Sequence, residues 1–183
     1  MADFSELDFW NERYSRGHTS GSGSYGEVLQ RKLKALEAIP GVTSVLEIGC
    51  GDFNFGKHVM FQYKLPMEKY TGYDISPVIL ERNRKFYPKC TWLSEFPAEP
   101  ADLLLCVDVL FHVIEEKDSE QLLDNLAKLW TKYLVVSGYE QKQEGLSAHL
   151  TGRPFDPSRF GIPIVREIIE DDGQLYIYVY RKT

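Results

Sequence analysis

No stretch of this chain approaches the roughly 18 to 20 consecutive apolar residues that span a bilayer, so membrane insertion is not expected. Cysteine is scarce: Cys50, Cys90 and Cys106 are the only three in 183 residues, each in or beside an apolar, strand-like segment. An odd number of scattered thiols makes no disulfide framework and suits a reducing cytoplasm. Basic charge is also short, with Lys+Arg 21 against Asp+Glu 27, a net charge of −6. That balance argues against a nucleic-acid partner, which calls for a basic face. The opening Met1-Ala2-Asp3-Phe4-Ser5-Glu6 has neither a basic nor an apolar region, so no signal peptide is expected. The four histidines are scattered, no pair has ligand spacing, and no metal site is expected. These absences lead to the expectation of a cytoplasmic globular protein whose length fits one domain, residues 1–183.

Glycine is present where it matters. Val45-Leu46-Glu47-Ile48 reads as a short buried strand, and Gly49-Cys50-Gly51 follows at once, leading into a helical segment. Glycines at such a turn let main-chain N–H groups approach a ligand, and a helix N-terminus behind them favours a polar or anionic group. This is the pattern of a nucleotide-type cofactor site in a doubly wound sheet.

The rest of the chain supports that architecture. Phe4 to Tyr14 suggests an amphipathic helix, and residues 16–26 form a Gly/Ser-rich stretch that is either a linker or an ordered binding loop. Together residues 1–26 make a candidate cap over the site. Residues 27–39 carry Val28, Leu29, Leu33, Leu36 and Ile39 at helical spacing, ended by Pro40-Gly41. Strands are predicted at 44–48, ending at Asp74, at 90–94, at 101–107 and at 133–137, with helices near 54–64, 77–87 and 118–131. Strands separated by helices imply a parallel sheet. Residues 140–163 are polar, lack periodicity and are long enough for a functional loop beside an acceptor. Ile164 to Glu170, the turn Asp171-Asp172-Gly173 and Leu175 to Tyr180 read as a β-hairpin.

Three cofactors compete for the glycine turn. A nicotinamide site wants a third glycine where Asn54 stands. A phosphate-binding loop matches from Gly51 to Gly56-Lys57, but His58 replaces the hydroxyl that holds Mg²⁺, and Glu47 would repel phosphate. S-adenosylmethionine carries no phosphate; a carboxylate near the turn can serve its ammonium, and Asp74, 23 residues after Gly51, can accept both ribose hydroxyls.

At these residues the chain resembles the class I S-adenosylmethionine-dependent methyltransferases. Glu47-Ile48-Gly49-Cys50-Gly51 is similar to that family's first motif, Gly72-Tyr73-Asp74-Ile75-Ser76 to its second, and Asp102 to Leu110 to its fourth-strand motif. The resemblance implies a Rossmann-like three-layer α/β sandwich with a seven-stranded, mostly parallel sheet and a C-terminal antiparallel hairpin. It implies that Glu47, Gly49, Gly51, Asp74 and Ile75 bind the cofactor, that Ser94 or Glu95 meets the adenine, and that Asp108 lies near the methionine end. The opening Phe9-Trp10-Asn11-Glu12-Arg13-Tyr14 and the Gly/Ser loop also resemble small bacterial methyltransferases of polysaccharide or glycan assembly.

The expected reaction is methyl transfer to a small-molecule or glycan acceptor, a sugar hydroxyl foremost, with a thiol, a nitrogen or a non-catalytic binding module as alternatives. His112 stands four residues after Asp108, so in a helical turn the two share a face. His112 is then the candidate general base, with Asp108 orienting its ring; a packed, hydrogen-bonded histidine is the competing reading. His149, in the long loop, is a second candidate base, and His18 can close over the cofactor. No oligomeric state is read from the sequence.

Overall fold

Alternating apolar strands and amphipathic helices build a three-layer α/β sandwich in the computed structural model, which describes residues 4–37, 39–171 and 174–182. Strands β1 (Val45–Ile48), β2 (Tyr70–Tyr73), β3 (Thr91–Leu93), β4 (Ala101–Cys106), β5 (Trp130–Tyr139), β6 (Val165–Glu170) and β7 (Leu175–Arg181) form one sheet. Its order is β3-β2-β1-β4-β5-β7-β6. The first five strands pair in parallel, and β7 runs antiparallel between β5 and β6. This is the Rossmann-like, seven-stranded fold with a C-terminal antiparallel hairpin that the sequence leads one to expect. Asp172 and Gly173 of the expected hairpin turn lie outside the described residues.

The apolar runs become central strands because both sheet faces are covered. Leu103, Leu104, Leu105 and Cys106 are fully buried, and all four residues of β1 are buried. On one face pack α2 (Gly26–Ala35), α3 (Asn54–Gln62) and α4 (Pro77–Phe86), contributing Leu29, Val59, Met60, Ile79 and Leu80 to the core. Pro77 opens α4, where its missing N–H goes unneeded, and Pro88 lies just beyond its end. α1 (Glu6–Ser15) starts at Ser5, whose hydroxyl accepts from the Asp8 N–H at 3.2 Å.

The opposite face is thinner. Among the described residues its one α-helix is α5 (Glu116–Leu126), which brings Leu123 and Leu126 against Leu46, Leu104 and Leu134. β3 is joined to β4 by residues 94–100 without a helix, and this link must cross from the sheet edge past β2 and β1. Pro97 and Pro100 favour an extended link, and Pro97 is buried. The 140–163 loop divides its work. Phe155 and Phe160 fill the layer beside Tyr178 and Tyr180, with Phe155 N–H bonded to the Tyr139 carbonyl at 2.6 Å. The earlier part reaches the ends of the parallel strands, where Thr151 N–H meets the Phe111 carbonyl at 2.7 Å.

At the far end of the sheet, Asp102 gathers Thr43 Oγ1 at 2.6 Å, Thr131 Oγ1 at 2.9 Å and Lys132 Nζ at 2.9 Å. That cluster fixes the entries of β1, β4 and β5. Their opposite ends form the site.

Candidate active site

A cavity of about 700 Å³ opens at the C-terminal ends of β1, β2 and β4, where a doubly wound sheet binds its ligands. Gly49 and Gly51 turn the chain there with φ of 69° and 47°, conformations that strain any residue with a Cβ. A Cβ on Gly49 would stand 2.5 Å from Val109 Cγ2, and one on Gly51 would collide with Ser20 Oγ. The backbone is therefore free to approach a ligand, yet pinned from behind. Cys50 N–H bonds the Tyr73 carbonyl at 2.9 Å, and Asn83 Nδ2 donates to the Gly51 carbonyl at 2.7 Å.

Asp74 stands at the end of β2, 6% exposed. Its two carboxylate oxygens accept one backbone N–H each, from Gly51 and from Ser76, both at 2.9 Å. Burial raises its pKa to about 6, against these two donors. Each oxygen keeps a further lone pair, so the group can accept two vicinal hydroxyls. Ile75, 41% exposed, lines the cavity beside it. Ser94 and Glu95 are exposed and do not line the cavity; Phe96 does, edge-on to Tyr73 at 5.2 Å. The wall after β3 is therefore an aromatic ring rather than the polar pair expected, because the extended link turns residues 94 and 95 outward.

Glu47 is 4% exposed and accepts from the Tyr70 hydroxyl. Burial, its largest influence, lifts its pKa to about 8. A Cβ on Gly56 of α3 would collide with Glu47 Oε2, so this glycine makes room for the carboxyl.

Asp108 departs from expectation. It adopts φ of 59°, which breaks the helical geometry that would have set it beside His112. Its partners are Lys32, through an ion pair, and Ser137, whose Oγ donates to Oδ1 at 3.2 Å and accepts from the Asp108 N–H at 2.7 Å. The His112 ring is oriented instead by the His149 carbonyl, 3.0 Å from Nδ1. A carbonyl only accepts, so Nδ1 carries the proton of the neutral ring and Nε2 is left as an acceptor. Burial lowers the His112 pKa to about 4, leaving the ring uncharged at neutral pH. Its neighbours are aromatic: His149 lies parallel at 5.6 Å, Phe9 stacks on His149 at 4.4 Å, and Trp10 meets His112 edge-on at 4.9 Å.

The Gly/Ser stretch is ordered over the turn. Ser20 and Asp52 exchange hydrogen bonds, Ser20 N–H to Oδ2 at 3.2 Å and Asp52 N–H to Ser20 Oγ at 2.8 Å. Tyr25 donates to the same carboxylate at 2.7 Å, and Arg13 Nε holds the Thr19 carbonyl at 2.7 Å. Ser20 to Ser24 line the cavity, whereas His18 does not. Sequence reasoning overlooked Lys32, Ser20 and Asp52. Lys32 alone carried a signal, a charge inside the apolar stripe of Leu29, Leu33 and Leu36.

Glycines that admit a backbone to a ligand, an enclosed carboxylate with spare lone pairs, and a charged pair further along the wall fit the hydroxyls and zwitterionic tail of S-adenosylmethionine. Residues 46–132 match the family described as "Methyltransferase domain". The fold and this match, over somewhat less than half of the chain, make it similar to methyltransferases that use S-adenosylmethionine. A curated relative from Drosophila melanogaster, "eEF1A lysine and N-terminal methyltransferase homolog", is 27% identical over 139 residues, covering 69% of this chain. The chain spans about a fifth of the length of the curated relatives it matches, 20%. Among solved structures, magnesium protoporphyrin IX methyltransferase from Synechocystis PCC 6803, with bound SAH, superposes with a TM-score of 0.71 at 14% identity, covering 97% of this chain and 98% of the other. N-methyltransferase NodS from Bradyrhizobium japonicum WM9, in complex with S-adenosyl-l-homocysteine, gives 0.72 at 14% identity, with the same coverage of 97% and 98%. At that identity the likeness is one of fold.

Proposed function

We propose that the chain transfers the sulfonium methyl of S-adenosylmethionine to an oxygen of a small polar acceptor, a sugar hydroxyl of a glycan or its precursor. Glu47, Gly49, Gly51, Asp74, Ile75 and Asp108 form its cofactor side, with Phe96 and Ile75 in place of Ser94 and Glu95 against the adenine. His112 carries the reading: a neutral imidazole with Nε2 as its acceptor, in the wall of the same cavity as Asp74. Attack by a hydroxyl on the methyl forms a protonated ether, a far stronger acid than imidazolium. A base with a pKa of about 4 is therefore strong enough to take the proton, and burial keeps it free to do so. Phe9 and Trp10 add apolar surface for the C–H face of a sugar ring. Most of the acceleration comes from aligning acceptor oxygen, methyl and sulfur, which the α1 cap and the 140–163 loop support by excluding water.

An amine acceptor is the second reading. Besides Asp108, which Lys32 pairs, the carboxylates of Glu6, Asp118 and Glu170 line the cavity, an acidic surround that suits a cation. The Drosophila relative and NodS are also named for methylation of lysine, N-termini or nitrogen.

Mass spectrometry on panels of sugars, amines, thiols and RNA, incubated with the protein and cofactor, decides between them by a gain of one CH₂. A gain on sugars, slowed about 10²-fold or more by His112→Ala, is expected. A gain confined to amines, or a sugar rate indifferent to His112→Ala, overturns the proposal.

A further inference from the structure

Lys32 lies on α2 in the apolar stripe that faces the sheet, and its side chain is 1% exposed. Lysine is almost never enclosed without a partner, and an enclosed ion pair is commonly no more stabilising than apolar residues of the same size. Stability alone therefore gives no reason for a lysine here. Its Nζ bonds the Asp108 carboxylate and the Gly23 carbonyl, the latter at 2.6 Å. Asp108 sits in the strained left-handed region, braced by Ser137, with 21% of its side chain exposed. Both members of the pair line the cavity that Asp74 lines. Gly23 lies directly on them: a Cβ there would stand 2.5 Å from Asp108 Oδ2 and 3.3 Å from Lys32 Nζ.

The strand order sets the distances. Asp74 follows β2, Gly49 follows β1 and Asp108 follows β4, three neighbours in the sheet. Two strand spacings, roughly 10 Å, separate the ribose end of the site from the ion pair. A molecule laid across these strand ends with its hydroxyls at Asp74 presents its other end to Lys32 and Asp108.

We propose that Lys32 and Asp108 form a receptor for the zwitterionic amino-acid end of the cofactor, Lys32 taking the α-carboxylate and Asp108 the α-ammonium. The inference rests on reading the cavity as the S-adenosylmethionine site. Ligand entry then exchanges one internal ion pair for two across the interface, with no unpaired charge left enclosed at either stage. Because the Gly23 carbonyl is bound to the same ammonium, the amino-acid end also governs how firmly the 17–25 loop closes over the site. Ligands with the amino acid tighten the loop, and ligands without it do not.

Two ligands separate this role from a structural one: S-adenosylhomocysteine, and 5′-methylthioadenosine, which shares the nucleoside but lacks the amino acid. Titration calorimetry is expected to show Lys32→Met weakening S-adenosylhomocysteine at least roughly tenfold, the loss of one charge-assisted hydrogen bond. Methylthioadenosine should stay within about twofold, and Lys32→Arg should restore most of the affinity for the homocysteine compound. Methylthioadenosine binding doubles as the check on folding. If Lys32→Met does not fold, the charge-neutral Lys32→Met/Asp108→Asn pair takes its place, with both ligands expected to bind it alike. Hydrogen exchange on the wild type should slow at residues 17–25 with S-adenosylhomocysteine and not with methylthioadenosine. Equal losses for the two ligands, or an unchanged affinity for S-adenosylhomocysteine, overturn the receptor. A folded wild-type protein that binds neither ligand overturns instead the reading of the cavity itself.

Discussion

Glu47, two residues before the glycine turn and in the cavity wall, accepts from the Tyr70 hydroxyl, and burial lets it hold its proton up to about pH 8. Such a group makes stability depend on pH with a definite sign. Between its ordinary pKa of 4.5 and about 8 the folded state keeps a proton that the unfolded state releases, so stability falls as pH rises through that window. Asp74 acts in the same direction, but only between 3.8 and about 6. His112 acts oppositely, since its pKa falls from 6.5 to about 4 and stability rises with pH across that span. Above pH 6.5 the slope from these three groups belongs to Glu47 alone. Glu47→Gln keeps an oxygen for Tyr70 and cannot ionise. Its melting temperature should fall less than that of the wild type between pH 6.5 and 8.5; parallel declines would mean that Glu47 is ionised in the fold.

Among the elements, strands were the most legible in the sequence, because apolar runs between helical patterns have few alternatives. β1, β2 and β4 fall within a residue of expectation, whereas β5 runs from Trp130 to Tyr139 rather than 133–137. Its extension past 137 comes from pairing with β7, Gly138 opposite Tyr176 and Tyr139 opposite Leu175, and its earlier start from Trp130 opposite Ala101 of β4, which no local pattern reveals. That earlier start ends α5 at Leu126, short of the 131 expected. The Gly/Ser stretch shows the limit more plainly. Its composition suits a linker, and what orders it is Asp52, 32 residues beyond Ser20. Asp52→Ala removes the acceptor for Ser20 N–H and the Tyr25 hydroxyl while leaving the sheet untouched. Amide exchange at residues 17–25 should quicken several-fold at constant exchange in β1 and β4, with weaker binding of S-adenosylhomocysteine. Unaltered exchange in the loop would show that Lys32 and Arg13 suffice to hold it.

Across the whole molecule, the site is assembled from parts far apart in the chain: Trp10 on α1, Lys32 on α2, the turns after β1, β2 and β4, and His149 in the late loop. The glycine turn and the carboxylates at strand ends were legible in the sequence, since they follow from local rules. The aromatic wall depends on which ring of α1 meets which ring of a loop over a hundred residues later, a matter of packing. This assembly has a thermodynamic consequence, because a ligand that touches every part binds the folded state alone and stabilises all of it. S-adenosylhomocysteine at about 100 times its dissociation constant adds ~2.7 kcal/mol. For a domain of this size, each kcal/mol moves the melting temperature by about 2–4 °C, so a rise of roughly 5 to 10 °C is expected. NADH at the same concentration should leave the transition in place, since the turn lacks the third glycine of a dinucleotide site and has Asn54 there. The thinner face of the sheet, with α5 its one described helix, should melt in the same transition as the rest, because β4 and β5 carry core on both faces. Calorimetry with and without S-adenosylhomocysteine tests both points: one transition that shifts as a whole fits a site built from the entire chain, whereas a ligand-insensitive second transition would assign the cofactor to one part of it.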